Sequence, residues 1–342
     1  MYATTTTTIA VARVTRTTRT AKQTSSRVAP RATVGVTASK GTSKHTTVDW
    51  SELSRQKTSR GRTTTTTTTR ALPEMATVLA SHYALPALWC ACTPAVMLAY
   101  INPIYSFSVG YGLSVLFAAG FTAYAHAASG AFMTPLLTAH VAGAAAYGAR
   151  LAGFPWYRSV TWDEWRERAK KAPEAQQAGF AKQTMVILLC SALYAMMSSP
   201  ILWHAQNVNA VNLATFSPLL KVGLALEWIG VALEAVADQT KFNYKATDAG
   251  KTRWCDTGLY AKCRHPNYLG EILFWVGLFV AGVPAMITRP VTFIPASLGL
   301  LFIVKLMTSA AKRGDTKQAE KYADNAEYKA WVDSTFSLVP GN

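Results

Sequence analysis

The chain has 342 residues, half of them hydrophobic and 15% charged, with a formal net charge of +16. Several uncharged apolar runs of about 17 to 25 residues exclude a pair of ordinary soluble domains and point to a polytopic membrane protein. The charge does not argue for nucleic-acid binding, because residues 1–70 hold 13 Lys and Arg against only Asp49 and Glu52.

That leader is rich in Thr, Ser and Arg, with the runs Thr4–Thr8 and Thr63–Thr69, and has no acidic residue before Asp49. It lacks the apolar core of a secretory signal, and its composition is that of an organellar transit peptide, for a chloroplast first and a mitochondrion second. The plain alternative is a disordered basic tail, on a protein of the endoplasmic reticulum for instance. Residues 71–155 read as N-terminal transmembrane helices and 156–342 as a second, C-terminal domain.

Hydrophobic runs predict helices over Ala76–Ile101, Val109–Ala128, Phe132–Leu151, Thr184–Trp203, Leu219–Ala237, Pro266–Met286 and Val291–Thr308. The expected fold is therefore all-α, a polytopic membrane helical bundle of about seven transmembrane helices behind a disordered basic leader. Pro86 and Pro94 would kink the first helix, and the Ala/Gly-rich third suits close packing. Five cysteines show neither disulfide nor metal-site spacing, so no metal is expected.

Alternate crossing places the charged segments 157–182, 238–264 and 312–342 on one side, which the positive-inside rule makes the cytoplasm, or the stroma of a plastid. In the first of them, Trp162 to Gln177 carries mixed charge with Trp162 and Trp165 and reads as an amphipathic surface helix. Arg166 and Arg168 there are weaker candidates for a phosphate contact.

On the fifth helix Glu227, Glu234, Asp238, Lys241 and Lys245 share one narrow stripe at 3.6-residue periodicity. Such a stripe is commonly a solvated face, but apolar neighbours surround this one, and intramembrane carboxylates pair or line cavities. After a short loop, Arg264 and His265 precede Pro266 at a first-turn position, where free backbone N–H groups favour an anion. Asn267, Tyr268 and Glu271 follow at near-neighbour spacings.

Three strings in order, LEAVADQTKFNYK (Leu233–Lys245), DTGLYAKCRHPNYLGEILFWVG (Asp256–Gly277) and KYADNAEYKAWVDSTFSLVP (Lys321–Pro340), resemble the C-terminal domain of steroid 5-alpha-reductase-like membrane proteins. The likeness is greatest to the branch of unassigned function called DUF1295, and it extends from about Trp156 to the C-terminus. The superfamily includes sterol reductases, enoyl-CoA reductases and isoprenylcysteine methyltransferases. The resemblance implies NADPH as cofactor, held by Asp238, Lys241, Lys245, Arg264, His265, Asn267 and Tyr268, with Arg313, Asp315, Tyr322 and Tyr328 in a more divergent tail. Lys241 and Lys245 match a lysine–arginine pair in the sterol reductases; lysine in the second place removes a bidentate phosphate fork.

The implied chemistry is reduction of an activated C=C bond in a hydrophobic small molecule such as a sterol, prenyl lipid or enoyl compound. Tyr268 is the first candidate proton donor or enolate stabiliser, with Glu234 and Glu271 orienting or donating. An S-adenosylmethionine-dependent lipid or prenyl methyltransferase and a non-catalytic organelle membrane protein are the alternatives. The expected partners are the lipid bilayer and the substrate, with no nucleic acid, and the oligomeric state is not set by the sequence.

Overall fold

The computed structural model describes residues 84–163, 166–167, 179–208 and 213–339. The leader expected over 1–70 lies outside them, as do Trp165 and Arg168.

Helix formation follows the apolar runs. The first, α1, covers Ala84–Val96 with Pro94 inside it and tightens into a 3-10 turn at Met97–Tyr100. The second, α2, covers Val109–Ala128 as expected from its apolar run. The third, α3, covers Pro135–Thr161, where Thr134 caps the first turn by accepting from the Leu137 N–H. Then come α4, Phe180–Asn207, and α5, Leu213–Lys245. Pro266 opens α6, Pro266–Met286, at its first turn, and α7 covers Phe293–Lys321. A short α8, Ala326–Ser334, is capped by the Asn325 side chain.

Three helices run well past their apolar stretches. Expected to end at Leu151, α3 continues to Thr161 because Phe154 and Tyr157 pack on Phe242 of α5. Its partner α5 continues through the charged end of its stripe to Lys245, and α7 continues from Thr308 to Lys321. Length and apolarity by themselves qualify α4, α6 and the stretch Pro290–Lys321 as membrane-crossing. Gly and Ala dilute α2 and α3, and the charged stripe interrupts α5, so those helices fall short of the seven spans expected from the runs. No strand forms among the described residues, where an isolated bridge joins Cys263 to Phe336.

Two close seams position the site. Against α6, α5 packs through small residues repeated every seven positions: a Cβ at Gly223 would lie 2.3 Å from Ala281 N, one at Gly230 2.3 Å from Phe274 N, and one at Gly277 2.2 Å from Glu227 N. Only glycine permits that approach, which sets Glu227 and Glu234 directly against α6. In the second seam, Gly112 of α2 meets Gly148 and Ala152 of α3 backbone to backbone. Between the seams lies an aromatic core of Tyr111, Tyr147, Phe274 and Trp275, with Tyr147 stacked on Phe274 at 3.7 Å.

The tail then folds back onto the start of α6. Arg264 and His265 donate their backbone N–H groups to the carbonyls of Phe336 and Ser337 at 2.9 and 3.1 Å, and Phe336 N donates to Lys262 O at 3.2 Å. Trp254 and Tyr322 pack with Tyr328 and Trp331 of α8 in an aromatic cluster.

Candidate functional site

The stripe on α5 forms a buried cluster centred on a residue from another helix. Arg150 of α3 donates one guanidinium nitrogen to the Glu234 carboxylate and the other to Asp238, and also reaches the Glu234 carbonyl at 3.3 Å. One turn separates Glu234 from Asp238, so a single planar fork spans both. Across the seam, Glu271 of α6 accepts from the Tyr111 hydroxyl at 2.9 Å, and that hydroxyl accepts from Trp275 Nε1 at 2.8 Å. Glu271 is buried, and the Tyr111–Trp275 pair fixes its orientation.

Two cavities meet at this cluster. The inner one, about 490 Å³, is walled mainly by apolar side chains, including Leu193, Tyr194, Met197, Ile303 and Met307, with Arg150, Glu234 and Glu271 as polar points. The outer one, about 900 Å³, is lined by Lys241, Lys245, Lys251 and Lys321 together with Trp162 and Phe242. Arg158, Asp238, Asn267 and Tyr268 line both, so the compartments share a wall where polar and apolar surroundings change over. Both volumes fall within the range of about 300 to 1,000 Å³ typical of small-molecule sites.

The outer compartment has a cationic mouth. No carboxylate among the described residues lies within ion-pair distance of Lys241, Lys245 or Lys321, whereas Lys251 pairs with Asp248 at 2.7 Å. Lys241 Nζ stands 5.6 Å over the Tyr260 ring. Lys245 donates to the Gly250 and Arg253 carbonyls, both at 2.7 Å, so it also fixes the loop after α5. Burial holds the Lys241 ammonium below the usual lysine value, with Asp238 opposing. Burial also lowers Lys245, assisted by repulsion from Lys321 and Lys241. A bound anion would relieve both.

The residues around Pro266 divide into two groups. Asn267 and Tyr268 face the cavities; Asn267 Oδ1 accepts from the Tyr260 hydroxyl at 3.5 Å, and the Tyr268 hydroxyl makes no hydrogen bond among the described residues. Arg264 and His265 turn instead toward the tail. Arg264 Nε donates to Asp315 at 3.1 Å and its Nη1 to the Thr335 carbonyl at 2.6 Å, while His265 Nε2 lies 2.9 Å from Asp315. His265 therefore makes no cap bond to α6, although its ring stacks on Tyr268 at 5.4 Å.

Ser337 donates a third side-chain bond to Asp315, at 2.7 Å. Burial pushes the Asp315 carboxyl up, but the bonds from Ser337, Arg264 and His265 outweigh it and hold the group below the usual carboxylate range. Burial keeps His265 below the ordinary histidine value against the pull of Asp315. Among the tail residues, Tyr322 lines a small cavity of about 190 Å³ with Lys241, Lys245 and Arg264, and donates to the Thr252 carbonyl at 3.2 Å. Tyr328 is buried in the aromatic cluster, and Arg313 is exposed.

Sequence reasoning missed Arg150, Arg158, Tyr111, Tyr147, Lys251 and Lys321. Arg150 did leave a signal, as a cation at the edge of an otherwise uncharged run. The two tyrosines left none, since aromatic residues in an apolar helix look like core.

Helices packed through glycine seams around a buried arginine–carboxylate cluster, with an apolar cavity on one side and a cationic one on the other, define a membrane-type α-helical protein with two adjoining internal cavities. The chain belongs to the DUF1295 family of proteins of unknown function, whose profile matches residues 109–335 and which is linked to the steroid 5-alpha-reductase-like proteins. No curated protein and no solved structure matches the chain.

Proposed function

We propose that the protein is a membrane-embedded, NADPH-dependent reductase of an activated C=C bond in a lipid. The observation that carries the reading is the shared wall: an apolar compartment abuts a cationic one at Arg158, Asp238, Asn267 and Tyr268. A hydrophobic substrate suits the first, and a dinucleotide phosphate suits the second. The donor set fits the cofactor, because three of its lysines have no carboxylate partner among the described residues and burial disfavours the charge on two of them.

NADPH bound at the junction would supply the hydride. Lys241 and Lys321, with Lys245 and Lys251, neutralise phosphate charge at the mouth. Tyr268, whose hydroxyl makes no hydrogen bond among the described residues, donates to the oxygen on which enolate charge develops and so stabilises it. Arg150 engages Glu234 and Asp238, which assigns both to orientation of the site. Glu271, held by Tyr111, borders the inner compartment and is the carboxyl placed to deliver a proton to the adjacent carbon. The walls of Met197, Ile303 and Met307 exclude water from that step.

In this reading α1 to α7 cross the membrane alternately, the lysine mouth faces the cytoplasm or stroma, and residues 1–70 direct the chain to a plastid. The test is equilibrium binding of NADPH and of S-adenosylmethionine to the purified full chain. NADPH binding that weakens in Lys241→Ala supports the reading; binding of S-adenosylmethionine alone refutes it and favours methyl transfer.

A further inference from the structure

Glu227 takes no part in either cavity. It lies seven residues before Glu234 on α5, its side chain is wholly buried, and neither carboxylate oxygen has a hydrogen-bond partner among the described residues. Helix geometry places it about 10 Å from Glu234 and about 21 Å from Lys241 along the axis. A bare carboxylate in that setting is heavily penalised, so a cation must compensate it.

Three elements surround the group. From α3 come His140, with Nε2 3.9 Å from Glu227 Oε2, and Gly143, where a Cβ would stand 2.4 Å from Oε1. From α6 come the backbones of Gly277 and Leu278. His204 of α4 completes the cluster, with its Nδ1 3.0 Å from His140 Nδ1. No lysine or arginine among the described residues pairs with Glu227, and the described His, Cys, Asp and Glu residues form no cluster able to hold a metal ion. With Gly143 pressed against the carboxyl, the cation that fits is the proton.

The hydrogen bonds also give its route. His140 Nε2 lies 3.1 Å from the Leu278 carbonyl, an obligate acceptor, so this nitrogen carries hydrogen. In the neutral pair His140 Nδ1 must then accept from His204 Nδ1–H, leaving a lone pair on His204 Nε2, which has no partner among the described residues. Beyond it stands His126 of α2, whose Nδ1 is 3.0 Å from the carbonyl of Ala205 and whose Nε2 is 3.2 Å from that of the exposed Phe132. These residues lie at the end of the bundle opposite the lysine mouth.

We propose that Glu227, His140 and His204 form a buried site for one exchangeable proton, loaded from the face on which His126 lies. A proton arriving at His204 Nε2 forms one N–H bond there, and the Nδ1 hydrogen of His204 passes to His140 Nδ1. The loaded proton is then shared by His140 and Glu227, and the cluster changes from one negative charge to neutral.

The experiment is infrared difference spectroscopy on the full-length protein in oriented liposomes, with pH changed on one side at a time. One set of carboxylate and imidazole bands should titrate together as a single proton. It should follow the pH on the His126 side, be lost in the isosteric Glu227→Gln, and load more slowly in His126→Phe. Bands that persist unchanged in Glu227→Gln, or that follow the pH at the lysine mouth, overturn the proposal. Should His140→Asn fail to fold, His204→Asn, which removes the entry nitrogen, must abolish the same titration. This site stands or falls independently of the reductase reading, since no step of the assay uses a dinucleotide.

Discussion

Replacing Arg150 by methionine removes the cation that two carboxylates share while keeping a chain of similar length. Its side chain is 17% exposed, that of Glu234 5% and that of Asp238 18%, so solvent offers little compensation. Removing one partner of a buried ion pair costs about 3 to 5 kcal/mol, chiefly because the remaining charge is left uncompensated. Here two carboxylates one turn apart remain, and their mutual repulsion puts the cost at the upper end of that range. The assay is thermal unfolding of the detergent-purified chain by intrinsic fluorescence, where a loss of that size lowers the midpoint by roughly ten degrees or more. The triple variant Arg150→Met, Glu234→Gln, Asp238→Asn should recover most of the loss, because it removes the stranded charges as well. An Arg150→Met protein as stable as the parent, or a triple variant no better than the single, would show that the fork does not organise the cluster.

The other predictions concern the mouth, the tail and the helix seam. Lys241→Ala should weaken NADPH binding about ten- to a hundredfold, the worth of a charge-assisted contact of about 1.5 to 3 kcal/mol, with the unfolding midpoint nearly unchanged. Lys245→Ala should in addition raise protease cleavage near Gly250, because its two carbonyl bonds hold that loop. Asp315 has a depressed value in the fold, so the docking it contributes is complete above the unfolded carboxyl value of about 4 and is lost as pH falls through the depressed one. His265, likewise lowered, adds a loss with the same sign beginning below about pH 6.5. Acid should therefore release the tail, read as faster proteolysis around α8, and Asp315→Asn should release it at neutral pH. Gly230→Ala places a methyl 2.3 Å from the Phe274 backbone and should cost at least the roughly 1 to 3 kcal/mol of ordinary overpacking. Gly120→Ala on α2, with nothing within 4 Å, should be neutral or stabilising by up to about 1 kcal/mol.

Helix order and the position of Pro266 were legible because apolar runs and a first-turn proline act locally. The ends of α3, α5 and α7 were not, since charged turns there are held by packing against other segments, such as Phe154 and Tyr157 on Phe242. The stripe from Glu227 to Lys245 was visible as a single face, which the structure divides among three settings. Lys241 and Lys245 border the mouth, Glu234 and Asp238 share Arg150, and Glu227 belongs with two histidines on other helices. Likewise the string RHPNY reads as one motif, although Arg264 and His265 point to Asp315 and Asn267 and Tyr268 to the cavities. Periodicity reports which side of a helix a residue occupies, and partners far apart in the chain decide what it does there.

The junction of the tail with the start of α6 has a consequence for biosynthesis. Phe336 and Ser337 accept the backbone hydrogens of Arg264 and His265, and Arg264 also closes on the Thr335 carbonyl. These acceptors follow their donors by 71 or 72 residues, so they leave the ribosome long after the start of α6 has emerged. Until then the start of α6 has unmet donors and Asp315 lacks its Ser337 bond. The nascent protein therefore carries an incomplete start of α6 until residues 335–337 have emerged, and closure of the tail marks the point at which that end of the bundle is assembled.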